Sequence, residues 1–222
     1  MTLYSSRRAA GCLAALAGFV LAMSTPSLAQ SPNSQDGVIR DPAQLVKSLR
    51  AGGYNIVVRH GATFSNQADA APVNFDDVAT QRNLNDKGKQ LAKAFGDAVR
   101  RAGVPIGEVY TSKFNRAYET ALLAGFDDIE TTTDLTEGGL IVSPDENNRR
   151  ADAFRKMLAQ VPDAGKNNVI ITHKPNIVDA LGKDWFDVQE GEASIFKPEG
   201  GQYRLVARVQ MEEWPKLALT VK

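Results

Sequence analysis

Short unbroken apolar runs alternate along this chain with longer stretches in which apolar positions recur every three or four residues. An unbroken run needs cover on both faces, so the runs read as buried strands and the periodic stretches as amphipathic helices. The clearest runs are Ile56-Val57-Val58 and Val169-Ile170-Ile171, with residues 108–111 and 129–132 as further strands. Asp41-Pro42 supplies an N-cap and a proline at the first helical position for a helix to about Ala51, which Gly52-Gly53 ends. Asn85 opens a second helix over residues 86–102, whose Leu91, Ala94, Phe95, Ala98 and Val99 share one face. Ser112 is the expected cap of a third helix reaching about Ala124. A fourth passes through Ala153, Phe154, Met157 and Leu158, and a fifth covers residues 175–181. Strand and helix therefore alternate, which predicts an α/β fold, a three-layer α/β/α arrangement with a mainly parallel central sheet. The tail departs from this order, because residues 193–196 and 203–209 flank Lys197-Pro198-Glu199-Gly200-Gly201 as a hairpin-like pair. Two irregular stretches, residues 63–82 and 134–146, are long for plain connections and are expected to be functional loops.

The first 29 residues follow a different rule. Arg7-Arg8 precede an apolar stretch from Ala9 to Met23, and Ser27-Leu28-Ala29 offers a small-x-small cleavage site, the pattern of a secretory signal peptide. The apolar stretch is short against the roughly 20 residues a bilayer span needs, so cleavage is expected, with no stable membrane anchor. The chain is then exported, periplasmic or secreted, with a flexible segment over residues 30–40 and a single domain over 41–222. The whole chain carries equal numbers of basic and acidic side chains, and the signal removes two arginines and no acid. That balance gives no reason to expect a nucleic-acid partner. The one cysteine, Cys12, leaves with the signal, so no disulfide and no thiol nucleophile are expected.

Chemistry concentrates around the only two histidines, His60 and His173, each of which closes an apolar run. In an open α/β sheet the carboxyl ends of the strands line the ligand crevice, so both can converge on one ligand. Arg59 before the first favours an anionic ligand, Gly61 lets backbone approach it, and Thr63 and Asn66 add polar groups. Arg116 falls in the first turn of the third helix, where its guanidinium and the free amides of the helix start both suit phosphate. Taken singly, each also fits a plainer role: a buried histidine satisfied by backbone, or Arg116 in a surface ion pair with Glu119.

Together these segments resemble the histidine phosphatase superfamily, also called phosphoglycerate mutase-like. Arg59-His60-Gly61 with Thr63 and Asn66 is similar to its Arg-His-Gly-x-Ser/Thr-x-x-Asn signature. Leu84-Asn85 with Gly88 resembles its Leu-Ser/Thr-x-x-Gly helix opening, and residues 112–121 its Ser-x-x-x-Arg-Ala-x-x-Thr-Ala. Lys113 replaces a proline common there. Lys174-Pro175 follows His173 where the acid-phosphatase branch has its aspartate proton donor, so that donor is missing at this position.

The resemblance implies a phosphatase that hydrolyses a phosphorylated small molecule through a phosphohistidine on His60, without metal or other cofactor. Arg59, Asn66, Arg116 and a protonated His173 would bind phosphate, and Thr63 and Arg82 would be possible substrate contacts. Residues 135–139 look like the mutase-like branch's Leu-x-Glu segment, which makes Glu137 the candidate proton donor; Asp69, Asp76, Asp77, Glu190 and Glu192 are its rivals. A non-catalytic anion-binding protein on the same fold is the alternative. A metal hydrolase has little support, since the histidines are far apart in sequence with no His-x-x-x-His spacing. Arg100-Arg101 and Arg149-Arg150 read as solvated helix faces.

Overall fold

The computed structural model describes Met1, residues 37–137 and residues 142–220. The rest of the expected signal segment, residues 30–36 of the expected flexible stretch, and Gly138-Gly139 of the Leu-x-Glu segment lie outside the described residues. Among the described residues, six strands form one sheet in the order β3-β2-β4-β1-β5-β6. Strands β1 (Asn55–Arg59), β2 (Ile106–Ser112), β3 (Ile129–Thr132) and β4 (Asn167–Thr172) run parallel. β5 (Glu192–Glu199) lies antiparallel to β1, and β6 (Gln202–Gln210) antiparallel to β5. The mainly parallel three-layer expectation therefore holds, with the tail hairpin extending the sheet beyond β1.

Alternation along the central strands explains their unbroken apolar sequence. Ile56 and Val58 of β1, with Val169 and Ile171 of β4, face one core, while Val57 and Ile170 face the other. The first core is covered by α1 (Pro42–Ala51), α2 (Asp86–Arg101), α3 (Asn115–Leu123) and α6 (Trp214–Leu217), through Leu49, Phe95, Ala121 and Trp214. The second lies under α4 (Pro144–Ala159) and α5 (Lys174–Leu181), through Phe154, Leu158 and Ile177. Phe95 and Phe154 are wholly buried. Cutting either back to alanine would cost about 3–5 kcal/mol.

Register decides where the histidines go. Arg59 pairs with Thr172 across the β1–β4 ladder, so the next residues, His60 and His173, leave neighbouring strands side by side at the carboxyl edge. α2 presses on the segment after His60: Asn85 caps the helix through Gly88 N–H (2.9 Å), and its own N–H donates to the Ala62 carbonyl (3.0 Å). A Cβ on Gly88 would lie 2.1 Å from that carbonyl oxygen, so only glycine allows this approach.

Three expectations need correction. Ser112 does not cap α3: β2 continues through it in register with Thr132, and the helix begins at Asn115 with Phe114 at the N-cap. α4 starts earlier than its apolar face suggests, at Pro144, with the Ser143 hydroxyl accepting from Glu146 N–H, so the irregular stretch before it is shorter. Arg100 and Arg150 are not simply solvated. Arg100 donates to the Ala124 carbonyl (2.6 Å), and Arg150, 15% exposed, donates to the Thr136 carbonyl (2.7 Å) beside the candidate acid.

Candidate active site

His60 and His173 are both buried, with ring centroids 5.1 Å apart. The His60 N–H donates to the Thr172 carbonyl (3.0 Å), and Gly191 N–H donates back to the His60 carbonyl (2.9 Å), so β4 and the start of β5 fix its backbone. Its Nδ1 lies 2.9 Å from the Gly61 carbonyl, which can only accept; Nδ1 therefore carries the proton and Nε2 keeps its lone pair. Burial, then the charges of Arg116, Arg59 and Arg82, hold the His60 pKa well below its usual 6.5 despite that carbonyl bond. The imidazole is neutral at pH 7, as a nucleophile must be.

Arg116 enters from the first turn of α3 and is fully buried, its guanidinium carbon 4.0 Å above the Phe114 ring. Nη1 donates to Asp69 (2.9 Å) and Nη2 to Glu137, while Nε has no partner among the described residues. Arg59, partly buried, is bonded in a similar way. Its Nη1 donates to the Val188 carbonyl (2.8 Å), Nη2 is 3.6 Å from Glu190, and buried Nε has no partner among the described residues. Each arginine thus presents an Nε–Nη2 edge, the two-donor face that matches a phosphoryl group, held at one end by a displaceable carboxylate.

Glu137 reaches this cluster, its carboxylate 3.7 Å from His173 Nδ1. Of its rivals, Asp69 binds Arg116 and also accepts from Arg82 N–H (2.8 Å). Glu190 accepts from the Thr63 hydroxyl (2.7 Å), and Arg82 donates to that hydroxyl's oxygen (3.2 Å). Asp77 caps a 3-10 turn and Glu192 pairs with Arg208 on the hairpin, whereas Asp76 is exposed. Asn66 lies on an exposed turn and takes no part in the hydrogen bonds that join the other candidates. His173 departs from the protonated state expected of it: burial, then Arg116 and His60, hold its pKa well below 6.5. Adding a phosphate dianion beside it would work in the opposite direction.

Several contributors had only a motif position as a signal. Thr120 accepts from Gly61 N–H (3.1 Å) and donates to the Arg116 carbonyl (2.7 Å), tying the two phosphate-facing segments together. Ser112 Oγ lies 2.7 Å from His173 Nε2. Phe114 packs edge-on against His173, with the two ring centroids 5.3 Å apart.

A sequence profile described as "Histidine phosphatase superfamily (branch 1)" matches residues 56–141, the span holding Arg59, His60, Arg116 and Glu137. Over that span the chain is similar to the histidine phosphatase superfamily. Solved structures share its phosphoglycerate mutase-like fold. One is the protein histidine phosphatase SixA complexed with tungstate, at 16% identity and a TM-score of 0.52, over 72% of this chain and 98% of that one. Phosphoserine phosphatase from Entamoeba histolytica, complexed with 3-phosphoglyceric acid, gives 16% and 0.52 over 71% and 98%. A putative alpha-ribazole-5'-P phosphatase from Escherichia coli gives 16% and 0.52 over 72% and 98%. No curated protein matches the chain in sequence. At such identities the likeness shows the fold alone, and the chemistry rests on the side chains above.

Proposed function

We propose that this chain is a member of the histidine phosphatase superfamily and an exported phosphomonoesterase that works through a phosphohistidine on His60. The observation that carries the reading is the pairing of a neutral His60, with Nε2 unprotonated, with buried Arg116 and partly buried Arg59, whose Nε–Nη2 edges are incompletely bonded. Nε2 attacks phosphorus, the bond to the leaving oxygen breaks, and protonated Glu137 gives that oxygen its proton. Water then attacks phosphorus, Glu137 takes the water's proton, and the P–N bond breaks to release phosphate and neutral His60. Phosphoryl transfer asks mainly for positioning and charge stabilisation, which Arg59, Arg116 and His173 supply. The incoming phosphoryl group replaces Glu137 on Arg116 Nη2 and frees that carboxyl to turn toward the leaving group. SixA, a structural relative, was solved with tungstate, a tetrahedral oxyanion. Phosphorylated small molecules are the substrate class, and the basic pair Arg7-Arg8 before an apolar stretch supports export.

Turnover of an aryl phosphate by the wild type, its loss in His60→Ala, and acid-labile label from a 32P-substrate trapped on His60 alone are the expected results. Phosphate binding without turnover would favour the non-catalytic alternative, and full activity in His60→Ala would remove the mechanism.

A further inference from the structure

His173 is held by a chain of hydroxyls whose protons can be counted. The Thr136 hydroxyl lies 2.9 Å from the Thr132 carbonyl, which can only accept, so its one proton is committed there. Thr136 Oγ1 is left as an acceptor, for Lys113 N–H (3.0 Å) and for the Ser112 hydroxyl (3.2 Å). With its proton spent on Thr136, Ser112 Oγ can only accept. It does so from Phe114 N–H (3.1 Å), and the remaining neighbour is His173 Nε2 at 2.7 Å. The opposite arrangement, Ser112 donating to Nε2, would set two hydroxyl lone pairs facing each other at 3.2 Å between buried residues.

We propose that Ser112 and Thr136 are positioning residues that fix neutral His173 as the Nε2–H tautomer, so that Nδ1 alone gains and loses a proton. The two histidines are then opposite tautomers: His60 protonated at Nδ1 on a main-chain carbonyl, His173 at Nε2 on a side-chain hydroxyl. His173 Nδ1 is buried, has no hydrogen-bond partner among the described residues, and is 3.7 Å from Glu137. The groups that bias it are Arg59 at the end of β1, His60 just after it, Arg116 on α3, Arg82 in the loop before α2, and Glu137 after β3. When the phosphoryl dianion arrives, one proton from solvent adds at Nδ1. The imidazolium then faces both the phosphoryl charge and the carboxyl that serves the leaving oxygen. This assignment rests on the function proposed above for its catalytic consequence, but not for the tautomer itself.

The chain has only these two histidines, so 15N-histidine long-range correlation spectra of the untagged protein resolve each ring directly. Above neutral pH the expected pattern is an N–H-type shift at Nδ1 for His60 and at Nε2 for His173. Ser112→Ala and the near-isosteric Thr136→Val should move His173 toward the other tautomer and leave His60 unchanged, while Thr136→Ser restores the wild-type pattern. In kinetics, Thr136→Val should lower kcat about tenfold and displace the kcat–pH profile, with KM changed by less than about twofold. An Nδ1–H His173 in the wild type, or an unchanged His173 in a folded Thr136→Val, would overturn the proposal. A wild type with no phosphatase turnover would strike at the function proposed above and leave the spectral result standing.

Discussion

Two arginines in this molecule have nearly the same immediate surroundings and opposite meanings. Arg116 contacts the carboxylates of Asp69 and Glu137 and lies over Phe114; Arg208, on β6, contacts Asp187 and Glu192 and lies 4.9 Å from the Trp185 ring. Two carboxylates and an aromatic face therefore do not define a phosphate site. The difference lies one layer out. Arg208 is 28% exposed, engages Nε and both terminal nitrogens, and belongs to a hairpin in which Gln210 also holds Glu192. Arg116 is fully enclosed, leaves Nε unpaired among the described residues, and stands beside two neutral imidazoles. The first arrangement is complete as it stands; the second has donors to spare, which is the mark of a group waiting for an anion.

The largest separation should come from matched substitutions. Arg116→Gln is expected to lower kcat/KM by about 10²–10³, the usual cost of removing one donor to transition-state charge, and steady-state kinetics with circular dichroism as the folding control would measure it. Equal losses in Arg116→Gln and Arg208→Gln would dissolve the distinction.

Next comes proton linkage, which only the Arg116 neighbourhood carries near neutrality. Both histidines have folded-state pKa values below their ordinary 6.5, so below that pH the unfolded chain binds more protons than the folded one. Their contribution to stability is complete above 6.5 and is lost as pH falls toward the folded values. Thermal unfolding should show Tm dropping between pH 8 and roughly 5.5, above the range where carboxylates titrate, and the drop should shrink in a His60→Gln/His173→Gln double variant. An undiminished drop would place the linkage elsewhere.

The smallest expected effect belongs to the hairpin. Arg208→Gln should leave kcat/KM within about twofold and cost about 1–2 kcal/mol, since it breaks hydrogen bonds to charged groups that keep other partners. Urea unfolding monitored by tryptophan fluorescence would measure that cost.

The strand-end histidines, Arg59 and Arg116 were legible because the local signals agree. Apolar runs locate the strands, and a residue closing a parallel strand is carried to the ligand edge by the fold itself. Ser112 was misread because a serine between strand and helix gives the same signal whether it caps the helix or finishes the strand. Only the ladder to Thr132 distinguishes the two, and it frees the hydroxyl for His173. Asp69 and Glu190 were no more than two acids among several, since irregular loops have no period from which a contact as distant as Asp69 to Arg116 could be read. Arg150 looked solvated because helix-face reasoning does not see the Thr136 carbonyl that its side chain reaches.

The contacts that fix His60 have a consequence for how this lineage can change. Thr172 carbonyl, Gly61 carbonyl and Gly191 N–H belong to the main chain, and almost any residue would supply the same atoms. Mutational drift around the nucleophile can therefore replace side chains without moving the imidazole, whereas His173 depends on two particular hydroxyls. The exceptions near His60 are Gly191, whose φ of +77° would strain any side chain, and Gly88, where a side chain would have to occupy space already filled by the Ala62 backbone. Inheritance is strictest there, at positions that perform no chemistry.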